Sequence, residues 1–237
     1  MELRLLLRNG ENLLVTIGIP VGLLVFFSFV DVLGVGPDAV DFLLPGMLTV
    51  GVMASAMVSL AIATGFERSY LVLKRLGATP LTRLELVIAK AAAVAVVLAL
   101  QVAVLVTAAL LLGWRIEAIG LGRAALVGGA ALALGSAAFA GIGLTMAGRL
   151  RASSTLALAN GLFVVLLLVS GVIFPLSSLP PPLARAATVL PSASLAQALR
   201  SAFAGHGSLV APMAVVAAWA VVAPVVAARL FRWDDGG

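Results

Sequence analysis

Six long apolar blocks, each nearly free of charged residues, alternate with shorter polar stretches along the chain. Their approximate limits are 13–30, 43–64, 87–112, 124–147, 155–174 and 209–228. A helix of ~20 apolar residues crosses the hydrocarbon core while satisfying its own backbone hydrogen bonds. Barrel strands alternate in polarity, and these blocks do not. The pattern predicts an all-α polytopic membrane protein with six transmembrane helices in a single domain, 1–237.

The first block also has the length of a secretory signal, but its leader carries Glu2 and Glu11 and no small-residue cleavage site follows Val30. We therefore expect it to be retained as a span. Basic residues then set the orientation. With the N-terminus inside, the cytoplasmic side holds eleven basic residues and the outer side four, namely Arg115, Arg123, Arg185 and Arg200. This split predicts a multi-pass plasma (inner) membrane protein with both termini cytoplasmic.

The amino-acid composition excludes several classes of protein. The chain has 237 residues, of which 62% are hydrophobic and 11% charged, whereas soluble domains carry ~25% charged residues. A cytoplasmic globular protein is excluded, and the six blocks leave no room for a second catalytic domain. The absence of cysteine excludes a disulfide framework and a thiolate metal site. The net charge of +5 is scattered between apolar blocks, which favours membrane orientation over nucleic-acid binding.

Two cytoplasmic segments are predicted to be amphipathic. Residues 2–12 place leucines on one helical face and Arg4, Arg8 and Glu11 on another, as an interfacial helix does. Residues 67–76 form a second short helix, in which Glu67, Arg68, Lys74 and Arg75 supply the charged face. Gly77 suits the helix stop, and Pro80 after Thr79 suits the next helix start. Alternatively, both segments only anchor the chain and fix its topology.

The segment 170–207 before the last block is too apolar for an ordinary loop, yet prolines interrupt it. Two short helices, about 181–189 and 193–204, fit between Pro175, Pro180 and Pro191, and Arg200 lies in the second. Neither is long enough to span. We predict an extracellular re-entrant helical hairpin, tolerable where protein covers the broken backbone. An amphipathic loop resting on the membrane surface is the alternative.

The chain lacks the residues of familiar catalytic devices. It has no nucleotide-binding glycine-rich loop with lysine, its one histidine, His206, lies outside the spans, and Lys90 is the only ionisable residue within a span. Ion-coupled carriers usually keep ionisable groups near the midplane. The deep polar residues are neutral and are either packing contacts or part of a substrate path: Ser55, Ser59, Gln101 and Asn160.

Two stretches of the sequence carry a resemblance to a known family. Glu67-Arg68 through Lys74-Arg75-Leu76, Thr79-Pro80 and on to Lys90 looks like a coupling-helix region. Asn160, Ser170-Gly171, Phe174-Pro175, Leu179-Pro180, Leu190-Pro191 and Ala198-Leu199-Arg200 look like the signature around a re-entrant hairpin. The chain resembles a type-2 ABC exporter permease over essentially its whole length, closest to the daunorubicin- and antibiotic-resistance branch. It departs from the family after Glu67-Arg68: members of the family often continue with an acidic residue and Gly-Thr, whereas this chain continues with Ser69-Tyr70-Leu71.

The resemblance implies a permease subunit and not an enzyme. Two permease chains, identical or related, would form the pathway, and two separate ATP-binding subunits, which hold ATP and Mg²⁺, would dock against 2–12 and 67–76. The substrate would be a hydrophobic drug or antibiotic, a lipid or a lipid-linked glycan, moved outward. The alternatives are a six-span carrier without ATP, a membrane scaffold and a membrane-embedded enzyme of lipid metabolism.

Overall fold

The computed structural model describes residues 10–30, 39–70, 83–115, 121–172, 175–205 and 207–231. Every regular element in these ranges is helical, which confirms the all-α class. The helices are α1 Gly10–Phe29, α2 Ala39–Ser69, α3 Arg83–Leu111, α4 Leu121–Arg149, α5 Ala152–Val169, α6 Pro181–Ala187, α7 Pro191–Ala204 and α8 Val210–Leu230, with a 3₁₀ turn at Leu176–Ser178.

Five helices in the described ranges, α2, α3, α4, α5 and α8, are long and apolar enough to cross a bilayer. Each coincides with one predicted block. The first block forms α1, a helix of 20 residues from Gly10 to Phe29. The exposed side chains of the outer helices are mainly aliphatic, among them Val165 on α5 and Val221 on α8. This is the surface expected for helices that face lipid.

Two helices end at residues other than the limits of the apolar blocks. The fifth block was expected to run to 174, but α5 ends at Val169 because Gly171 adopts a left-handed φ of +66° that a helix cannot continue through. The second block was expected to end at 64, but α2 continues to Ser69. Glu67 and Arg68 therefore belong to the end of the second span and not to a separate helix that begins at 67.

The helix α2 is the centre of the bundle, packed against α1, α3, α4, α5 and α7. Its middle, Met53–Ser59, is π-helical, and the N–H of Leu60 donates to the carbonyl of Ser55 five residues earlier. Such π segments are rare and are frequent at functional sites. Here α4 packs closely against the segment because Gly143 has no side chain: a Cβ atom there would lie 2.7 Å from the Met57 carbonyl oxygen.

The longest packed pair is α4 with α8. Gly141 permits their close approach, since a Cβ atom at this position would lie 2.4 Å from the backbone at Ala223 and Pro224. On the same helix, Gly135 makes room for Leu195 of α7, which is buried. Small residues of this kind allow membrane helices to pack backbone to backbone.

Both short helices predicted between the prolines exist, at Pro181–Ala187 and Pro191–Ala204. With 14 residues, α7 is ~21 Å long, too short to cross the hydrocarbon core. It buries most of its side chains against α2, α4 and α8 and ends at Gly205, a left-handed C-terminal glycine. Beside it, the Trp219 indole N–H of α8 donates to the Val189 carbonyl between α6 and α7, at 2.9 Å.

Candidate functional site

Arg200 of α7 joins three segments at the end of the bundle where α2 begins, which we call the Arg200 end. Its Nη2 donates to the carbonyls of Gly171, at 2.8 Å, and Val172, at 3.4 Å, just beyond the C-terminus of α5. Its Nε donates to the Phe42 carbonyl of α2 at 3.4 Å, and its guanidinium lies 3.9 Å from the centre of the Phe42 ring. We call these four residues the Arg200 seam.

The seam gives a donor to two carbonyls just beyond the C-terminus of α5, an end at which the helix dipole favours a cation. A guanidinium suits the task because its fork of donors reaches several acceptors at once. Burial lowers the pKa of Arg200 to about 10, so the side chain remains charged at neutral pH. Carbonyl oxygens and the face of an aromatic ring therefore surround a full positive charge.

Two further contacts hold the same turn. The hydroxyls of Ser170 and Ser192 are hydrogen-bonded to each other, and both residues are buried. From α2, Gly46 approaches so closely that a Cβ atom there would lie 2.4 Å from the Val172 carbonyl oxygen. The turn after α5 is thus fixed by α7 on one side and α2 on the other.

The predicted hairpin prolines occupy the starts of local elements. Pro191 is buried and begins α7, and Pro180 is exposed and immediately precedes α6. Pro175 is half-buried and precedes the 3₁₀ turn, where its carbonyl accepts from the Ser178 hydroxyl. Proline fits such positions because its fixed φ suits a helix start.

Of the four polar residues predicted for a substrate path, three lie on α2 and α3 near one another or on the same π segment, and the fourth lies on α5. Ser55 of the π segment donates to the Gln101 side-chain oxygen of α3 at 3.5 Å, and both residues are buried. Gly51 leaves the space that the Gln101 amide fills. Ser59 is half-buried on the same π segment. Asn160 is separate: it is exposed on α5, and its amide donates to the Leu156 carbonyl of its own helix.

At the opposite end of α2, which we call the loop end, Glu67 forms an ion pair with Lys90 of α3. The Lys90 Nζ and Glu67 Oε2 atoms are 2.6 Å apart, with the lysine side chain 9% exposed and the carboxylate side chain 26% exposed. Lys90, the one ionisable residue within a predicted span, thus has a partner, because α2 continues to Ser69 and brings a carboxylate within reach.

Arg68 lies beside this pair but points into the bundle. It is buried, and its Nη2 donates to the carbonyl of Leu150, the residue after the C-terminus of α4, at 2.5 Å. Arg68, predicted to share a charged helical face with Glu67, thus contacts a different helix from its neighbour. The helix was predicted to begin at 67, whereas the continuous α2 rotates this position toward α4.

Six of the predicted coupling residues lie outside the described residues, in the ranges 1–9 and 71–82: Arg4, Arg8, Lys74, Arg75, Gly77 and Pro80. Sequence reasoning also missed three features that the structure brings to the site. Gly46, Phe42 and the partnership of Lys90 with Glu67 carry no local motif. A charged residue inside an apolar block was the one usable signal, since such a residue needs a partner.

Among the described residues, no group of three or more His, Asp or Glu side chains could hold a metal ion. Comparison with protein-family models matches residues 1–204, from the N-terminus to the end of α7, to the ABC-2 type transporter model. Searches of curated proteins and of solved structures found no match. The match spans most of the chain, and five helices in the described ranges have the length and apolarity of membrane spans. This integral membrane protein therefore belongs to the ABC-2 type transporter family, as a permease component.

Proposed function

We propose that this permease works as an ATP-driven exporter subunit, paired with a second permease chain and with two separate ATP-binding subunits. The family match over residues 1–204 carries the proposal. The paired architecture follows from the resemblance, since this sequence holds no nucleotide-binding loop of its own. ATP and Mg²⁺ would be held by the partner subunits. The whole chain would act as one permease domain with six spans, α1 included.

The proposed orientation places the loop end in the cytoplasm and the Arg200 end outside, as the eleven-to-four division of basic residues requires. In that orientation α6 and α7 form a re-entrant hairpin that enters from the outer face. The burial of α7 among α2, α4 and α8 supports this arrangement over a loop resting on the surface. The hairpin would close the outer end of the pathway.

We place the ATPase-docking surface at the loop end, formed by the N-terminal segment and the loop 71–82. Of the residues described there, Glu67 and Arg68 take part through the end of α2. Both side chains already have partners inside the permease. Their role is therefore to hold the base of the loop, and the charged residues of the loop itself, Lys74 and Arg75, are the docking contacts.

The substrate class we propose is hydrophobic: a drug or antibiotic, a lipid or a lipid-linked glycan. The most buried helix, α2, carries neutral polar groups at its middle, with Ser55 bonded to Gln101. An uncharged route of this kind suits an apolar molecule and offers no ionisable group for ion coupling. The outward direction follows the family branch that the sequence resembles.

Co-expression tests the proposal directly. The permease with a C-terminal affinity tag is produced with and without a candidate ATP-binding subunit. Stable one-to-one co-purification, followed by ATP hydrolysis in proteoliposomes, is the expected result. A Lys74→Ala, Arg75→Ala variant should insert normally but lose the ATPase, whereas Arg185→Ala, at an exposed site on α6, should retain it. Transport by the permease alone would favour a carrier without ATP.

A further inference from the structure

The last ten residues of α2, Leu60–Ser69, form the part of this helix next to the loop 71–82. Contacts between α2 and α3 are concentrated in Ala39–Val52 and continue weakly into the π segment. Beyond that point α2 packs against α4 and α5 instead. Where the structure describes both helices, the end of α2 next to the loop is therefore packed mainly against α4 and α5.

The Glu67–Lys90 ion pair connects α2 and α3 close to the loop. Glu67 lies two residues before the end of α2, and Lys90 lies seven residues after the start of α3. At 1.5 Å per residue, α3 extends ~10 Å beyond the pair toward the loop, and α2 extends only ~3 Å. A force applied to the loop can therefore pass between the two helices through this pair.

Arg68 fixes the same turn of α2 to a different helix. Its bond to the Leu150 carbonyl attaches the end of α2 to the end of α4, while its neighbour Glu67 attaches it to α3. Successive residues on a helix point about 100° apart, so one turn of α2 holds two neighbours at once. The end of α2 is thus the point at which α3 and α4 are joined.

We infer that Lys90 is a positioning residue for ATP coupling: with Glu67 it holds the two ends of the loop 71–82 together, so that α2 and α3 move as one unit. This inference rests on the proposed function for its role, but the mechanical link itself does not. Glu67 acts through Lys90 and not through contact with an ATP-binding subunit. Exchanging the two charges should therefore preserve its effect.

The test uses spin labels, and the cysteine-free sequence needs no background substitution. Ser69→Cys and Ala89→Cys, both at exposed positions, place one label on each helix of the full chain in lipid nanodiscs. In the otherwise wild-type chain we expect one narrow distance distribution. Glu67→Gln or Lys90→Gln should lower the ratio of closed to separated helix ends by roughly 30-fold or more, the effect of removing one partner of a hydrogen-bonded charge pair.

The double variant Glu67→Lys, Lys90→Glu should restore the narrow distribution. Arg151→Gln, which removes an exposed cation from the same end, is the matched control and should leave the distribution unchanged. Singles that keep the wild-type width, or a double variant as broad as the singles, would overturn the inference.

A second arm adds the ATP-binding subunits and compares the label distance and the hydrolysis rate with and without ATP. The wild type and the charge-exchanged double variant should respond alike, and the singles should hydrolyse ATP without a concerted shift of both labels. A double variant that regains the narrow distance but not the ATP response would overturn the coupling role. If even the wild type binds no ATP-binding subunit, the proposed function fails, and the first arm alone decides whether the pair joins the helices.

Discussion

The two ends of α2 are both fastened by basic side chains, but their partners differ in kind. Phe42 and Glu67 are 25 residues apart, which places the two contacts ~37 Å from each other along the helix. At the Arg200 end, a guanidinium binds backbone carbonyls of α2 and of the turn after α5, beside an aromatic ring. At the loop end, an ammonium binds one carboxylate.

Backbone carbonyls are fixed to their helices, whereas a lysine and a glutamate can each rotate away on a flexible stem. The Arg200 seam therefore has several acceptors in three segments, and the Ser170–Ser192 bond and the close approach of Gly46 hold the same turn. The Glu67–Lys90 pair can separate and re-form. The comparison teaches that backbone acceptors of two helical segments hold the hairpin in the bundle, while the described link between α2 and α3 at the base of the loop is a pair of side chains.

The largest effect is expected from Arg200→Met, which removes the charge and leaves three buried carbonyl contacts unmade. We expect a loss of about 3 kcal/mol, or a melting temperature lower by about 6–12 °C in detergent. Arg185→Met, at an exposed arginine on α6, should melt like the wild type. Equal melting temperatures for the two variants would show that the Arg200 seam contributes no stability.

Two glycines of α2 compare the packing at the two ends directly. Gly46→Ala places a Cβ atom 2.4 Å from a backbone oxygen, whereas at Gly65 the nearest atoms belong to Thr155, at an ordinary 3.5 Å. Gly46→Ala should therefore cost about 1–3 kcal/mol through overpacking, and Gly65→Ala should be neutral or slightly stabilising. The measurement is thermal unfolding followed by tryptophan fluorescence. The reverse order would contradict the contrast between the ends.

The polar contact at the middle of α2 should contribute less to thermal stability than the contacts at the Arg200 end. Gln101→Leu removes the polar contact with Ser55, and such interhelical bonds average ~0.6 kcal/mol in membranes. Asn160→Leu, at an exposed site, serves as the control. Thermal unfolding measures both. A loss for Gln101→Leu as large as that for Arg200→Met would move the chief attachment from the end of α2 to its centre.

The smallest structural effect is expected from single cysteines that report the sidedness of the ends. Ser69→Cys at the loop end and Ser208→Cys before α8 are both exposed and should change stability by less than ~0.5 kcal/mol. In intact cells an impermeant maleimide should label Ser208→Cys, and it should label Ser69→Cys only after permeabilisation. Labelling of both from one side would remove the premise that the two ends face opposite compartments.

The sequence by itself determined the elements of this protein. In lipid, the backbone of an apolar block nearly free of charge must satisfy its own hydrogen bonds, so each block forms a helix. Prolines mark the residues at which α6 and α7 begin. The same patterns carried the family resemblance, which the match over residues 1–204 confirmed at the level of the ABC-2 type transporter. These inferences succeeded because they depend on local composition and on the chemistry of the bilayer.

Only the tertiary structure decided which polar residues meet. Gln101 faces Ser55 and Asn160 faces outward, although both are amides within spans. Arg68 and Glu67 were predicted to share one charged face, and in the structure Arg68 is bonded to Leu150 after α4 while Glu67 is paired with Lys90 of α3. The reason is physical: the side of a helix that a residue occupies relative to its neighbours depends on where that helix begins, bends and ends. The π segment and the late end of α2 shift that rotation without any signal in the local sequence.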